Sequence, residues 1–252
     1  MIGRMKPTNP DPERRRVLAL AAALPLSSWL HPGTAGAQTT GGPPMRIGTI
    51  GSGRLGGAVG ALWVKAGHPV MFSSRDPEQT AALVARLGPP ARAGSVAEAI
   101  DFGDVVFLAV PYGAMPQIGR DFGSRLAGKI VLDAGNAVEA RDGAIAAEAE
   151  QNGIGLTSQK YLPGARLVRA FNTLGYTVLE REAHRAEGRI AIPIAGDDDA
   201  ALQVAAVLVR DAGFDPVVVG KLADARRFQR GTSGYGQVVT AAELRKTLSL
   251  AP

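Results

Sequence analysis

The chain has 252 residues, of which 46% are hydrophobic and 20% are charged, so it is long and apolar enough to form a sizeable core. Its formal net charge of +5 does not indicate a nucleic-acid partner, because residues 1–37 hold five basic and two acidic residues and leave 23 against 21 elsewhere. The lack of cysteine excludes disulfides and cysteine-bound metals. Three histidines are too few to indicate a catalytic triad or a metal site, so no metal is predicted.

The first 37 residues have the three parts of an export signal. Basic residues Arg14–Arg16 precede an apolar stretch from Val17 to about Leu30, and a small-x-small cleavage site follows at Ala35–Ala37. The paired arginines resemble a twin-arginine signal, which predicts an exported, periplasmic protein with residues 38–44 as a linker. A membrane anchor and a true start at Met45 are the alternatives, although the apolar stretch is shorter than the ~20 residues that a span needs. No membrane span is expected in the mature chain.

From Met45 on, short apolar runs alternate with helical stretches, which is typical of a parallel sheet with crossover helices. The predicted strands are MRIGTI, HPVMFSS, residues 91–93, DVVFLAV, KIVLDA, ARLVRAF, GRIAIPIAG and DPVVVG. The predicted helices cover residues 54–66, 77–87, 142–152, 197–212 and 240–248, with a further helix start at the capping box of residues 95–98. We predict an α/β fold, a Rossmann-type doubly wound parallel sheet (residues 45–155) with a small C-terminal α/β extension (residues 156–252).

One glycine motif stands between the first predicted strand and the first predicted helix. Gly51, Gly53 and Gly56 form a G-x-G-x-x-G pattern, in which the glycines allow a tight turn, close approach of a pyrophosphate and packing of helix on strand. The N-terminus of the helix would then point its free N–H groups at the phosphates. This spacing predicts a dinucleotide-binding site.

The end of the second predicted strand indicates which dinucleotide is bound. NAD-binding proteins usually carry an acidic residue there that binds the adenosine ribose, but this chain has Ser73, Ser74 and Arg75. A guanidinium can bind the 2′-phosphate of NADP through two hydrogen bonds, and the serine hydroxyls can donate to its oxygens. We therefore predict a preference for NADP(H). The next residue, Asp76, precedes Pro77 and is interpreted as the N-cap of the following helix.

The carboxyl ends of the later strands are expected to line the rest of the site, because ligands of such sheets bind outside these ends. The residues predicted to contact the ribose and nicotinamide are Ala109, Val110, Pro111, Tyr112, Ala134, Gly135 and Asn136. Gly135 is expected to leave room for the ring, and Tyr112 is either a cofactor contact or a packed aromatic. Asn172 and Thr173 follow the sixth predicted strand and are assigned to the acceptor side, with a helix cap as the alternative role of Asn172.

Several segments together resemble the NADP oxidoreductases that use the deazaflavin coenzyme F-420. The segments are RIGTIGSGRLGGAVGALWVKAGHPVMFSSRDPE, DVVFLAVPYGA, IVLDAGNAV, LPGARLVRAFNTLG and GDDDAALQVAAVLVRDAGFDPVVVGKLADAR. The resemblance implies that NADPH is bound through Gly51, Ser52, Gly53, Arg54 and Leu55, and through Ser73, Ser74 and Arg75. It also implies a deazaflavin or flavin-like ring as acceptor, stacked on the nicotinamide under the C-terminal part. The export signal and the last segment, RFQRGTSGYGQVVTAAELRKTL, depart from the family pattern.

Hydride transfer between two rings requires stacking, orientation and exclusion of water, so no catalytic acid or base is assigned. One alternative is an imine or keto-acid reductase of the pyrroline carboxylate reductase or β-hydroxyacid dehydrogenase type, for which Lys160 is the candidate basic residue. Those enzymes usually add a large helical domain, whereas fewer than 80 residues follow the FNTLG segment here. A non-catalytic NADP-binding redox module is the other alternative. The oligomeric state is left open, a homodimer included.

Overall fold

The computed structural model describes Gly3 and residues 43–251. The predicted export signal, apart from Gly3, and residues 38–42 of the predicted linker therefore lie outside the described residues. Residues 43–251 all belong to one compact unit. The predicted boundary between residues 155 and 156 lies inside this unit, and the division into two domains stays a prediction.

Eight strands form one sheet, and each of them lies in a segment that the sequence predicted as a strand. The strands are β1 (Ile47–Ile50), β2 (Val70–Ser73), β3 (Ala91–Ala93), β4 (Val105–Leu108), β5 (Ile130–Asp133), β6 (Arg166–Arg169), β7 (Ala191–Gly196) and β8 (Asp215–Gly220). Their order in the sheet is β3-β2-β1-β4-β5-β6-β7-β8, so the winding reverses between β1 and β4. The predicted Rossmann-type α/β fold is confirmed.

Strands β1 to β6 run parallel, and β7 runs antiparallel to β6. Only the last two residues of β7 pair with β6, where Ala195 lies opposite Arg169 and Gly196 opposite Val168. The rest of β7 therefore extends past the carboxyl end of β6. β8 pairs with β7 in parallel, so this C-terminal strand pair stands beside the edge of the sheet at which ligands bind in this fold.

Ten α-helices flank the sheet within the described residues. They are α1 (Arg54–Lys65), α2 (Pro77–Leu87), α3 (Val96–Phe102), α4 (Met115–Leu126), α5 (Glu139–Asp142), α6 (Ala144–Asn152), α7 (Ile154–Tyr161), α8 (Tyr176–Glu182), α9 (Asp199–Asp211) and α10 (Ala241–Thr247), with 3₁₀ segments at Tyr112–Ala114 and Leu222–Phe228. The predicted capping boxes of α3 and α10 form, as does the predicted Asp76 cap of α2. Helices α4, α5, α7 and α8 were not predicted.

Successive residues of the central strands enter two separate cores, one on each face of the sheet. In β4, Val105 and Phe107 pack with Trp63 of α1, while Val106 and Leu108 pack with Met115 of α4. Because both faces are covered, these strands are buried at every position. Helices α1 and α2 thus hold their N-termini over the carboxyl edge of a rigid sheet, which fixes the loops described next.

Candidate dinucleotide-binding site

The turn between β1 and α1 is closed by protein at two of its glycines and open at the third. Gly51 has a φ of +97°, and a Cβ there would overlap the carbonyl oxygen of Ala109. A Cβ on Gly56 would overlap the carbonyl oxygen of Gly51, so this glycine lets α1 pack on the turn. At Gly53, in contrast, a Cβ would meet no atom within 4 Å. Of the three, Gly53 is the one that faces space that a ligand could enter.

The N-terminus of α1 begins beside this open glycine without a side-chain cap from the described residues. Gly53 is the N-cap residue, and the first turn contains no acidic residue. The first N–H groups of the helix and its dipole are therefore available to bind an anion. Arg54 and Leu55 are the first two helical residues; the guanidinium of Arg54 lies 5.7 Å from the centre of the Tyr176 ring, and Leu55 packs against the core.

The loop between β2 and α2 brings Ser74, Arg75 and Asp76 to the same cleft. Arg75 is exposed and forms no ion pair or hydrogen bond with any residue that the structure describes. Asp76 accepts a hydrogen bond of 2.9 Å from the backbone N–H of Gln79, so its carboxylate serves as the helix cap that the sequence predicted. A guanidinium that is available to a ligand therefore stands at the cleft where an NAD-binding protein would have an acid.

Ser73 does not share this position with Ser74. Its side chain is fully buried, and its Oγ donates a 2.8 Å hydrogen bond to the carbonyl oxygen of Thr49. Ser73 is the last residue of β2, and its side chain points into the protein interior, whereas Ser74 lies in the loop that follows the strand. Ser52 also points inward, with its Oγ 2.7 Å from the Oγ1 of Thr80. Only the backbones of Ser52 and Ser73 remain near the cleft.

The cleft itself has a volume of about 830 Å³. The residues predicted from the sequence that line it are Gly51, Gly53, Ser74, Arg75, Ala109, Val110 and Pro111. It is completed by residues that were not predicted, namely Gln79 of α2, Val96 of α3, Gln117, Ile118 and Phe122 of α4, and Arg141 and Asp142 of α5. The structure thus brings the glycine turn, the arginine loop and the end of β4 together around one elongated space.

Tyr112 and Gly135 belong to the core beneath the cleft. The Tyr112 hydroxyl donates to the carbonyl oxygen of Ile154 at 3.0 Å and lies 3.0 Å from Ser158 Oγ, and its ring is fully buried. A Cβ on Gly135 would lie 3.1 Å from this ring and 3.0 Å from Asp133 Oδ1. Close packing inside the protein therefore favours glycine at this position, and the room for a nicotinamide ring expected there stays a prediction. Ala134 is likewise buried.

A buried ion pair joins the ends of β5 and β6. Asp133 and Arg169 are opposite each other in the parallel register, both are fully buried, and Arg169 Nη1 contacts Asp133 Oδ2. Arg169 Nη2 also donates to the carbonyl oxygen of Gly135 at 2.5 Å, and Ser158 Oγ donates to Asp133 Oδ2 at 2.7 Å. Burial, followed by the negative charge of Asp133, raises the pKa of Tyr112 and keeps its hydroxyl protonated.

Two asparagine side chains follow this ion pair at the carboxyl edge. Asn136 Nδ2 donates to the carbonyl oxygen of Asn172 at 2.7 Å, and Asn172 Nδ2 donates to the carbonyl oxygen of Phe228 at 3.2 Å. These bonds fix the orientation of both amides. Each Oδ1 atom is buried and has no hydrogen-bond partner within the described part of the chain. Neither asparagine lines the cleft, and buried acceptors of this kind are commonly satisfied by an ordered water.

A second cavity, of about 800 Å³, lies on the far side of α5. It is lined by Ala137, Glu139, residues of α6 that include Ala146 and Glu150, and the C-terminal segment Gln229–Gly231 with Tyr235. The backbone N–H of Gly236 donates to the carbonyl oxygen of Thr173, so this segment is anchored at the end of β6. Thr173 therefore lies next to the C-terminal part with its side chain buried, and its assignment to the acceptor side stays a prediction.

Asp142 lines the 830 Å³ cleft, although no motif in the sequence singles it out. Its Oδ1 accepts from the backbone N–H of Gly113 at 3.0 Å and its Oδ2 from that of Val138 at 2.8 Å, and Arg141 pairs with it. Burial raises the pKa of Asp142, but these hydrogen bonds and the charge of Arg141 outweigh burial, so the pKa lies below 3.8. The carboxylate fastens α5 to the end of β4.

Some residues of the site could have been found from the sequence. A charged residue that ends an apolar strand, as Asp133 and Arg169 do, indicates a buried partner on a neighbouring strand. Thr80 carried no such signal, because a threonine in the middle of an amphipathic helix is usually a surface residue. Lys160 is exposed and pairs with Glu148 at 2.6 Å, and it lines neither cavity.

In the described residues no helix is long and apolar enough to span a membrane, and no cluster of three or more histidine, aspartate or glutamate side chains could hold a metal ion.

Comparisons with known proteins agree with this geometry. Residues 46–137 match the family described as NADP oxidoreductase, coenzyme F420-dependent. The rat protein metalloreductase STEAP3 is 29% identical over 187 residues, which are 73% of this chain and 36% of the rat protein. The chain therefore spans about a third of the length of this relative.

Two solved structures share the fold. A hypothetical protein from Sinorhizobium meliloti superposes with a TM-score of 0.66 at 28% identity, covering 79% of this chain and 96% of its own. A proposed F420-dependent NADP reductase from Arthrobacter sp. FB24 has a TM-score of 0.62 at 24% identity, with coverages of 72% and 87%. The resemblance noted in the sequence is confirmed over residues 46–137.

Proposed function

Because residues 46–137 match a family of F420-dependent NADP oxidoreductases, we propose that this chain binds NADP(H) in the 830 Å³ cleft and exchanges a hydride with a second redox ring. A deazaflavin such as coenzyme F-420, or a flavin, is the proposed acceptor. The observation that carries the proposal is the combination of an open Gly53 at the start of α1 with Arg75 across the same cleft, a guanidinium that no described residue pairs.

The residues present fit the phosphates of the cofactor. The open space at Gly53 would admit the pyrophosphate, and the backbone N–H groups at the start of α1 would bind it. Ser74 and Arg75 would hold the 2′-phosphate on the adenosine ribose, because they are the hydroxyl and the guanidinium that line this end of the cleft. Ala109, Val110 and Pro111 would line the ribose that follows.

The reacting end of the cofactor is proposed to lie toward Asn136 and Asn172. The Oδ1 atoms of these residues are buried, so they would accept hydrogen bonds from a carboxamide or from ribose hydroxyls only after the side chains that cover them had moved. The ion pair between Asp133 and Arg169 keeps the strand ends beneath them fixed. The neighbouring 800 Å³ cavity is the proposed place of the acceptor ring.

The bound nicotinamide would supply or take up the hydride, and the protein's own contribution is positional. The fixed asparagines orient the reacting end, the buried side chains beneath it exclude water, and the phosphate contacts hold the rest of the molecule. Lys160 is exposed, paired and outside both cavities, which does not support an imine or keto-acid reductase that would depend on it.

We also propose that the protein is exported to the periplasm by a twin-arginine-type signal at residues 1–37. A nicotinamide cofactor would then have to be bound before export, because this route carries folded proteins. The exported protein, isolated from the periplasm, should contain tightly bound NADP; exported protein that is free of nucleotide would contradict this part of the proposal.

The test of the reaction is steady-state oxidation of NADPH with a panel of deazaflavin, flavin, quinone and ferric acceptors. We expect turnover with a deazaflavin or a flavin. Arg75→Glu serves as the control, since turnover that depends on the cleft should fall with it at low NADPH concentration. Tight binding of NADPH without turnover of any acceptor would contradict the oxidoreductase function and favour a non-catalytic redox module.

A further inference from the structure

Four oxygen–oxygen contacts join Ser52, Ser74 and Thr80 with the carbonyl oxygen of Asp76 behind the arginine loop. Thr80 Oγ1 lies 2.7 Å from Ser52 Oγ and 2.8 Å from Ser74 Oγ. The carbonyl oxygen of Asp76 accepts from Ser74 Oγ at 2.8 Å and from Thr80 Oγ1 at 2.9 Å. Thr80 is 2% exposed and does not line the cleft, so its hydroxyl serves only this network.

The network has more contacts than hydrogens. Three hydroxyl groups carry three hydrogens, which can serve at most three of the four contacts at once. If Ser52 donates to Thr80 and Thr80 donates to the Asp76 carbonyl, then Thr80 Oγ1 and the carbonyl oxygen of Asp76 each accept a hydrogen bond that does not come from Ser74. The hydrogen of Ser74 is then free to point into the cleft. Ser74 Oγ stays in place, because the backbone N–H of Asp76 donates to it at 3.0 Å.

Without the Thr80 hydroxyl this freedom is lost. The carbonyl oxygen of Asp76 would keep the backbone N–H of Thr80, at 3.2 Å, and would have Ser74 as its remaining hydroxyl donor, so this carbonyl would compete with a ligand for the Ser74 hydrogen. Ser73 could not replace Ser74, since its hydrogen is donated to Thr49 inside the sheet.

We propose that Thr80 is a positioning residue for cofactor specificity, which acts through Ser74 by freeing its hydroxyl hydrogen for the 2′-phosphate of NADPH. This inference rests on the proposed function, because it requires that NADPH occupies the cleft. Thr80 touches no part of the cofactor itself, and its effect should therefore be confined to the phosphate that distinguishes NADPH from NADH.

The test is calorimetric titration of the full chain with NADPH and with NADH. Thr80→Val keeps the shape of the side chain and removes the hydroxyl; we expect the Kd for NADPH to rise about tenfold and that for NADH to change by no more than about twofold. Thr80→Ser should keep the preference. Thr157→Val is the matched control, since it removes another buried threonine hydroxyl, bonded to the carbonyl oxygen of Gly153, outside both cavities.

A double-mutant cycle separates positioning from a general structural role. Ser74→Ala should cause the same loss of preference for NADPH as Thr80→Val. The double variant should lose no more than either single variant, because both substitutions remove the same hydrogen bond, from the Ser74 hydroxyl to the 2′-phosphate. Additive losses, or equal weakening of NADPH and NADH in Thr80→Val, would overturn the inference. If Thr80→Val does not fold, Ser52→Ala replaces it with an expected loss of about threefold, and an unchanged preference there would also overturn it. A wild-type chain that binds NADH as tightly as NADPH would overturn the proposed function as well.

Discussion

At the residue scale, the three glycines of the β1–α1 turn have different reasons to be glycine. Gly51 and Gly56 are fixed by the fold, since a side chain on either would overlap a backbone carbonyl. Gly53 has an ordinary φ of −69° and open space around it, so the fold alone would accept another residue there. Its role as the N-cap of α1 and the close approach of a ligand are the two remaining reasons for glycine at this position.

This difference yields a prediction for Gly53→Ala. The substitution should lower the free energy of unfolding by no more than about 1 kcal/mol, the usual cost of alanine at an N-cap, and should weaken NADPH binding at least about tenfold. Gly175→Ala is the matched control, because Gly175 is also an N-cap glycine, an added Cβ there would meet no atom within 4 Å, and it lines neither cavity. Thermal unfolding and NADPH titration of both variants check it. Equal NADPH affinities would contradict the assignment of Gly53.

At the residue scale, a sequence motif also does not show in which direction each of its side chains points. The sequence placed Ser73, Ser74 and Arg75 together, and the structure separates them because the last residue of a strand and the first residue of a loop face different ways. A boundary that differs by one residue decides which serine faces the ligand, and the sequence pattern does not fix it. Tyr112 is a similar case, since its ring enters the core at a 3₁₀ turn that the pattern did not reveal.

At the element scale, the carboxyl ends of β5 and β6 are held by Asp133 and Arg169. A buried charge is costly without its partner, whereas removal of both charges can be nearly neutral. The pair therefore makes the position of each strand end depend on the other. The peptide that follows β5 is included, because Arg169 donates to Gly135.

We accordingly predict strongly non-additive effects for this pair. Arg169→Met alone should lower the free energy of unfolding by about 3–5 kcal/mol, since it leaves Asp133 buried without its cation. Asp133→Leu combined with Arg169→Met should be less destabilised than the single variant. Denaturant unfolding of the single and double variants checks this, and Arg125→Met, which breaks an exposed pair with Asp101, is the control. A double variant that loses the sum of both single effects would contradict the coupling.

Because the ionised Asp142 carboxylate holds α5 in place, we predict that the free energy of unfolding depends on pH. The pKa of Asp142 is lowered on folding, so its contribution to stability is complete well above 3.8 and is lost as the pH falls through its lower folded-state pKa. Asp142→Asn should therefore be less stable than the wild type near pH 7, and the difference should shrink as the pH falls below about 4. Unfolding free energies measured from about pH 7 to about pH 3 check this. A difference that stays constant over the range would show that the charge of Asp142 has no part in it.

Elements were predicted well where their signals are local. The capping boxes of α3 and α10 and the cap of α2 involve residues three positions apart, and all of them form. The antiparallel direction of β7 could not be predicted in this way, because an apolar run looks the same in both directions. Helix α7 also escaped prediction, since its apolar face is short and it follows α6 after a single glycine.

At the scale of the whole molecule, the alternation of strands and helices was sufficient to predict a Rossmann-type doubly wound sheet. It was not sufficient for the second cavity. That space forms where Gln229–Gly231 and Tyr235 return to α6, and the contact joins segments some 80 residues apart. The periodicity of hydrophobic residues in the sequence does not predict such a contact, so the proposed acceptor site could be identified only in the folded chain.

The central claim is that the 830 Å³ cleft prefers NADPH to NADH because of the loop after β2. Titration of the full chain and of Arg75→Glu with NADPH and NADH tests it most directly, with Arg86→Glu, an exposed charge reversal on α2 outside the cleft, as the control. Loss of a charge-assisted contact of about 1.5–3 kcal/mol should raise the Kd for NADPH roughly tenfold or more and leave that for NADH nearly unchanged. A wild type without preference, or equal weakening of both nucleotides in Arg75→Glu, would contradict the account.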